Sequence, residues 1–389
     1  MHLTFRNVND AFRSLVEIFH MSSPSGKLRW ANGQEKRDVP VVKKNSRNGP
    51  VMMIEEPVTI TYTHPRERVL FNQARDANPF FHLYEALWML AGRNDVAPLA
   101  YYNSKIKEYS DDGKTFNGAY GYRWRKMPYN RPESDELDQL EEVISHLKGD
   151  PESRRAVVQM WHPELDLLNV GTKFSKFSHY QDRKGSKDVC CNLSVMFSVR
   201  EAVNVPGMGP LPTNKRFLDM TVTNRSNDMI WGMLGANYVH FTFLQEYMAA
   251  NIGVEVGKYH HITNNLHVYE STWEPEKWFP ESKVLDRYEY YKQIPLIKEP
   301  AVFEKELPEF VERHTDGSDI VSVEWQEPFL DKVAEPMLLA FHDHKARHYD
   351  MALVMCKEIK ADDWRIAATN WIKKRQLNYE RKVSDVVSD

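Results

Sequence analysis

Cysteine is scarce in this chain, at three in 389 residues. Three thiols cannot build a disulfide framework, and no Cys/His spacing matches a zinc site, so no metal is expected. No run of about 18 apolar residues exists, which argues against a membrane-spanning helix. The opening MHLTFRNVNDAFRSLVEIF is amphipathic and carries acidic residues, so it does not read as a secretion signal. An excess of positive charge is also missing. Lys and Arg total 51 against 55 Asp and Glu, for a net charge of −4. A general nucleic-acid or membrane surface is therefore not expected, and any phosphate recognition has to be local. Internal repeats and coiled-coil heptads are absent too. The remaining expectation is a cytoplasmic protein in a reducing compartment. Its 42% apolar residues suffice for a sizeable core in one large domain or two.

Against these absences stands one dense stretch, residues 188–241. It holds the adjacent Cys190 and Cys191, then a strand-like apolar run, a turn-rich insert and a second run, LDMTVTN. That run ends in Arg225-Ser226-Asn227-Asp228, and a helical pattern follows. A nucleophilic thiol and a phosphate-binding guanidinium so close together suggest chemistry on a nucleotide.

The rest of the chain supplies further candidates. Residues 5–20 predict a first helix, and 21–50 predict an exposed loop in which Arg47-Asn48-Gly49 could clamp a phosphate. Residues 51–62 predict a strand with an edge or break at Pro57. Residues 78–95 form a strongly apolar helix with Glu85 inside its apolar face. Burial there would raise its pKa and suit it to proton transfer, although a structural pairing is the commoner reason for such a residue. Residues 117–125 (NGAYGYRWR) predict a tight turn presenting Tyr120. A helix over 133–148 leads to Arg154 and Arg155 before a buried strand, and paired arginines suit bidentate phosphate contacts. Residues 165–187 and 201–215 read as surface insertions. After a long buried helix, KYHHITNNLHVY reads as one strand with His267 and Tyr269 on a common face. Residues 270–325 wrap the surface. Residues 327–381 predict two or three amphipathic helices with Cys356 in their core, ahead of a frayed VSDVVSD tail. The domain expectation is thus 1–325 for the catalytic part and 326–389 for a helical extension packed on it.

Taken together and in order, EALWMLAGRND, NGAYGYRWR, SRRAVVQMWHP, CCNLSVMF, NRSND…GANYVHF and NNLHVY resemble the thymidylate synthase family and its phage-type relatives, the deoxypyrimidine-monophosphate hydroxymethylases. The resemblance covers roughly residues 45–270. It implies an α/β (α+β) fold with a mixed sheet flanked by helices, one sheet face forming a homodimer interface, and extra C-terminal helices here. It implies Cys191 as nucleophile, six positions before Phe197, and Cys190 at a position usually held by proline. By the same resemblance, Arg225, Ser226 and Arg47 would bind the 5′-phosphate, with Arg154 and Arg155 reaching the other subunit's site. His267 and Tyr269 would hold the ribose, and Asn237 would read the base. Glu85 would organise proton transfer, Tyr120 would assist at C5, and Asp228 would meet the pterin of 5,10-methylenetetrahydrofolate.

Several departures bear on the product. One extra residue lies between Gly232 and Asn237, and Asn192 replaces the usual His beside the nucleophile. The segment before Tyr120 has Ile106 and Tyr109 where thymidylate synthase has a folate-facing tryptophan. The chain ends in a helical pattern, not in a short apolar tail. A less shielded intermediate admits water, so the expectation is a deoxyuridylate hydroxymethylase of the kind found in viruses with modified DNA bases, acting in the host cytoplasm. Thymidylate synthesis, deoxycytidylate hydroxymethylation and a catalytically silent nucleotide binder stay open as alternatives.

Overall fold

The structure is a computed structural model that describes residues 1–21, 41–46, 48–127, 137–167, 186–201, 215–281, 288–318 and 321–388. Its strands are β1 (His2–Phe5), β2 (Val41–Ser46), β3 (Gly49–Ile54), β4 (Val58–Tyr62), β5 (Val157–Gln159), β6 (Asn192–Glu201), β7 (Arg216–Asn224), β8 (Asn227–Asp228), β9 (Glu255–Thr263) and β10 (Leu266–Tyr269). Its helices are α1 (Val8–Met21), α2 (Pro79–Leu90), α3 (Val96–Tyr102), α4 (Tyr120–Arg125), α5 (Gln139–Gly149), α6 (Asn237–Ile252), α7 (Pro275–Glu281), α8 (Pro300–Arg313), α9 (Glu335–Lys345), α10 (Tyr349–Glu358) and α11 (Asp362–Ser388). A mixed six-stranded sheet runs β1-β4-β9-β7-β6-β5, and a smaller four-stranded sheet runs β2-β3-β10-β8.

The two sheets explain where single-strand expectations split. Residues 51–62 break at Pro57 into β3 of the small sheet and β4 of the large one. KYHHITNNLHVY divides in the same way at Asn264–Asn265 into β9 and β10. A pattern of alternate apolar residues records burial but not which sheet buries them. Phe5 belongs to β1, so the first helix starts only at Val8. Part of the expected 21–50 loop is β2, paired along β3 from Val41–Ile54 to Ser46–Gly49. The surface-wrapping region 270–325 contains α7 and the amphipathic α8. Residues 383–388 of the tail expected to be frayed continue α11.

Helices cover one face of the large sheet. Val58, Ile60, Tyr62, Val158, Val195, Phe197, Leu218, Met220, Val222 and Tyr259 all point there and are buried. α6 crosses this face and is buried from Tyr238 through Ala249. Gln245 on α6 donates its amide to the carbonyls of Leu218 (2.8 Å) and Lys258 (3.0 Å), where the β7–β9 register shifts. The other face is more open among the described residues. There Met196 (37% exposed) lies opposite Val157 (42%), beside half-buried Thr221, Thr223 and Ile262.

The C-terminal helices dock on α2 and α3. Trp371 packs on Phe80 (5.3 Å between rings) and Phe341 on Tyr102 (4.8 Å). Arg375 stacks on Trp371 and pairs with Asp76 through both oxygens (2.6 and 2.9 Å). Cys356 is fully buried within this layer, and burial pushes its thiol up to about 12. No helix among the described residues is long and apolar enough to cross a membrane.

Candidate active site

The start of β6 and the end of β7 are paired, and that pairing creates the site. Asn192 faces Asn224, and the Arg225 backbone N–H donates to the Cys191 carbonyl at 3.0 Å. The Arg225 guanidinium then folds back, donating to the carbonyls of Cys190 (2.9 Å) and Val189 (3.2 Å). Its Nη2 lies 3.5 Å from Cys191 Sγ. The two neighbouring cysteines are thereby separated in kind. Cys190 is 1% exposed, donates its thiol to the Asn192 carbonyl (2.9 Å), and is pushed well up by burial. Cys191 is partly open and sits against a cation, the setting that favours a thiolate.

A buried frame holds this corner. Arg123 and Asp166 form an ion pair that accepts the Cys190 N–H (3.1 Å) and the His162 N–H (2.8 Å). Asp188 accepts the Gly118 N–H at 2.6 Å, and Asn117 donates to the Asp188 carbonyl at 3.0 Å. These bonds tie residues 117–118 to the cysteine strand. Tyr120 opens the short helix α4, not a bare turn, and its phenol is pushed well up by burial, with Cys191 and Cys190 adding to the effect. α4 approaches α2 so closely that a Cβ on Gly121 would sit 2.1 Å from the Met89 carbonyl oxygen. Glu85 lies one turn before Met89 on the same face. It is 7% exposed, and its Oε2 lies 2.9 Å from His240 Nε2 of α6.

The small sheet supplies the second wall. β8 pairs with β10, which sets Asp228 opposite His267. His267 and Tyr269 are two residues apart with their rings 5.2 Å apart, the common face expected of them. The Tyr269 phenol is 3.5 Å from Asn48 Nδ2. Arg47, next to Asn48, lies outside the described residues. Asp228 Oδ1 accepts the Trp231 N–H (2.6 Å), while its buried Oδ2 has no hydrogen-bond partner. Burial raises the Asp228 carboxyl. Ser226 sits half-buried between Arg225 and β8. Asn237 is the first residue of α6, and its Nδ2 donates to Asn227 Oδ1 at 3.2 Å. The extra residue before it is absorbed in a wide turn over Met229–Ala236 that breaks at Gly235. Phe241, one helical turn after Asn237, stacks on Tyr120 (6.3 Å).

Arg154 and Arg155 are not brought to this site. Both are exposed, and they precede Val157, which faces Met196 five residues along β6 from Cys191. At about 3.3 Å per residue that is at least about 16 Å away. A cavity of about 750 Å³ between the end of α6 and the far ends of β6, β7 and β9 is lined by none of the candidate residues.

Several site residues escape sequence reading. Arg75 donates to the Ile230 carbonyl (3.0 Å) and lies 4.0 Å over the Trp231 ring, which is 54% exposed. A tryptophan therefore does flank Asp228, from the segment after it. Ile106 packs against the core and Tyr109 is 54% exposed, with Tyr269 and Asp228 adding to the burial that raises its phenol. Trp231 stood within an apolar helical pattern, where an exposed ring leaves no mark. His240 likewise reads as one more member of a buried helix.

The thymidylate synthase family model matches residues 75–279, just over half of the chain. A protein of Pseudomonas phage M6 named deoxyuridylate hydroxymethyltransferase is 38% identical over 366 residues, covering 90% of this chain and 92% of its own. The chain belongs to the thymidylate synthase family. A deoxyuridylate hydroxymethyltransferase of Bacillus phage SP01 is 39% identical over 216 residues (55% of this chain, 49% of that one). Another from Delftia phage PhiW-14 is 29% identical over 229 residues. The mixed α/β architecture agrees with the family fold expected from the motifs.

Proposed function

We propose that this family member is a deoxyuridylate hydroxymethyltransferase, converting dUMP to 5-hydroxymethyl-dUMP in the host cytoplasm. The observation that carries the chemistry is the Cys191 thiol 3.5 Å from the Arg225 guanidinium, while Cys190 is buried and engaged. The hydroxymethyl product rests on the name shared by the phage relatives.

C5 of uracil is a weak nucleophile until C6 carries an added group. Cys191 as thiolate adds to C6, and the ring electrons move onto the C4 oxygen, so that C5 can form a bond to carbon. Arg225 and Ser226 hold the 5′-phosphate, joined by Arg47, and His267 with Tyr269 hold the ribose hydroxyl. The ring is thus fixed over the sulfur, which removes much of the entropy cost of the encounter. Tyr120, close to Cys191, assists removal of the C5 proton. Glu85 receives the proton of the water that adds to the exocyclic carbon, after which the Cys191 thiolate leaves C6. Arg154 and Arg155, remote from their own chain's Cys191, reach the phosphate of a second copy. The partly exposed sheet face around Met196 and Val157 supports such a homodimer.

The one-carbon unit comes at the oxidation level of formaldehyde from 5,10-methylenetetrahydrofolate. The residues present fit that group. The partnerless Asp228 Oδ2 can accept from the N–H edge of a pterin, and the exposed Trp231 ring, braced by Arg75, offers it a flat surface. The test is the product mass after incubation with dUMP and methylenetetrahydrofolate. A hydroxymethyl product with tetrahydrofolate released is expected. A methyl product with dihydrofolate released would make the chain a thymidylate synthase.

A further inference from the structure

Behind Asn237 lies a buried relay of amides around one imidazole. Asn237 Nδ2 donates to Asn227 Oδ1 (3.2 Å), and Asn227 Nδ2 lies 3.1 Å from His261 Nε2. The same Nε2 is 2.7 Å from Asn224 Oδ1, and Asn224 Nδ2 donates to Asn192 Oδ1. The Tyr259 phenol is 2.8 Å from His261 Nδ1. Asn192, Asn224, Asn227, Tyr259 and His261 are all 4% exposed or less. Gly232 is required by this packing, since a Cβ there would sit 2.3 Å from Asn227 Oδ1 and 3.2 Å from Asn237 Nδ2.

His261 stands at a fork. Burial pushes it down to about 3, so it is neutral at pH 7 and carries one ring proton. Its Nε2 faces an amide donor from Asn227 and an amide acceptor from Asn224, and it can serve only one of them at a time. Two proton arrangements follow. With the proton on Nδ1, given to the Tyr259 oxygen, Nε2 accepts from Asn227 Nδ2, and the Asn224 and Asn192 amides reverse so that Asn224 offers Nδ2 to the ring in place of Oδ1. Asn227 Oδ1 then turns to Asn237, whose Nδ2 must point at it. With the proton on Nε2, Asn227 Oδ1 turns to His261, its Nδ2 turns to Asn237, and the Asn237 amide reverses. Amide ends are decided by such networks and not by shape, because the two ends are almost the same size.

Uracil presents an acceptor at O4 and a donor at N3, and cytosine presents the opposite pair. The first arrangement leaves Asn237 with a second N–H for O4 and its carbonyl for N3–H. The second suits cytosine.

We propose that His261 and Asn227 are the specificity-determining relay of this enzyme, and that they hold the Asn237 amide in the uracil-reading sense. The proposal rests on the reading above that Asn237 meets the base. The relay touches no substrate, so it acts by positioning. Asn192, which stands where the family has histidine, is the far end of the same relay.

The test compares dUMP with dCMP on the homodimeric protein, as kcat/KM and as equilibrium binding by calorimetry, in wild type, His261→Leu, Asn227→Ala and Asn227→Asp. A lost donor–acceptor match at a buried reader changes discrimination by about tenfold to a thousandfold. The dUMP preference should fall at least about tenfold in His261→Leu and Asn227→Ala. It should persist in Asn227→Asp, because a carboxylate only accepts and so keeps Asn237 Nδ2 turned towards it. Equal loss for both nucleotides in a variant with a cooperative melt would overturn the proposal and leave the relay a packing feature. Should His261→Leu not fold, the two Asn227 variants decide. Absence of wild-type turnover with either nucleotide would instead defeat the functional reading, and the binding ratios would still judge the relay.

Discussion

Two buried polar chains in this molecule can be compared, one under the C-terminal helices and one at the candidate active site. In the first, the Tyr101 hydroxyl donates to His342 Nδ1 (2.9 Å) and His342 Nε2 to His314 Nδ1 (3.2 Å). His314 Nε2 then donates to Glu335 Oε2 (2.9 Å). Trp325 Nε1 and the Val323 N–H complete the Glu335 carboxylate (3.0 and 3.3 Å). With one ring proton on each histidine a single arrangement satisfies every group, and burial holds His342 down at about 4. The chain at the site has two arrangements, and it ends on groups with capacity to spare at Asn237 and Asn192. Closure marks a polar network that stabilises a fold. Open valence, at a cost of about 1–3 kcal/mol for each unmet buried group, marks one that waits for a ligand.

The comparison breaks first at the nucleophile. Cys191→Ala should abolish tritium release from [5-³H]dUMP in the presence of folate, a loss of at least about 10³-fold, whereas Cys190→Ala lowers it modestly. Equal losses, or release surviving in Cys191→Ala, would remove the distinction between the two thiols. In the closed region, Trp371→Ala should cost about 3–5 kcal/mol in urea unfolding while kcat/KM of the folded protein stays within about twofold. A large change in kcat/KM would mean that the extension takes part in the chemistry.

The pH response sharpens the contrast. His342 and His344 sit near 4 and His82 and His261 near 3, all depressed first by burial. Between about pH 6.5 and those values the unfolded chain binds more protons than the folded one, so stability falls as pH drops through that window. Each histidine contributes up to about 1.4 kcal/mol per pH unit, and the contribution is flat above pH 7. His342→Gln should remove one proton from this slope, measured by unfolding at pH 5 and pH 7. An unchanged slope would mean that His342 titrates normally. The smallest effect is expected at the rim. Trp231→Ala should raise KM for the folate by about tenfold and leave KM for dUMP within about twofold. A shared rise would place Trp231 against the nucleotide instead.

Several candidate residues that the structure brings together were legible in the sequence because they are local. Cys191, the Arg225–Asp228 run and the His267/Tyr269 pair each fall within a few residues, and strand alternation alone puts His267 and Tyr269 on one face. The division of 51–62 and of 258–269 between two sheets was not legible, since both sheets bury the same kinds of residue. Nor was the relay. Asn224, Asn227 and His261 look like ordinary strand residues until β7 and β9 lie side by side.

The sequence by itself therefore determined the family and the helical character of the C-terminal part and pointed to candidate reacting groups, because chemistry and helix periodicity are properties of short segments. The tertiary structure decided which of two adjacent cysteines meets a cation and how an inserted residue is absorbed before Asn237. It also decided which polar chains close and which stay open. Those outcomes depend on distances between segments up to 241 residues apart, such as Tyr101 and His342, and only the packed fold brings such segments together.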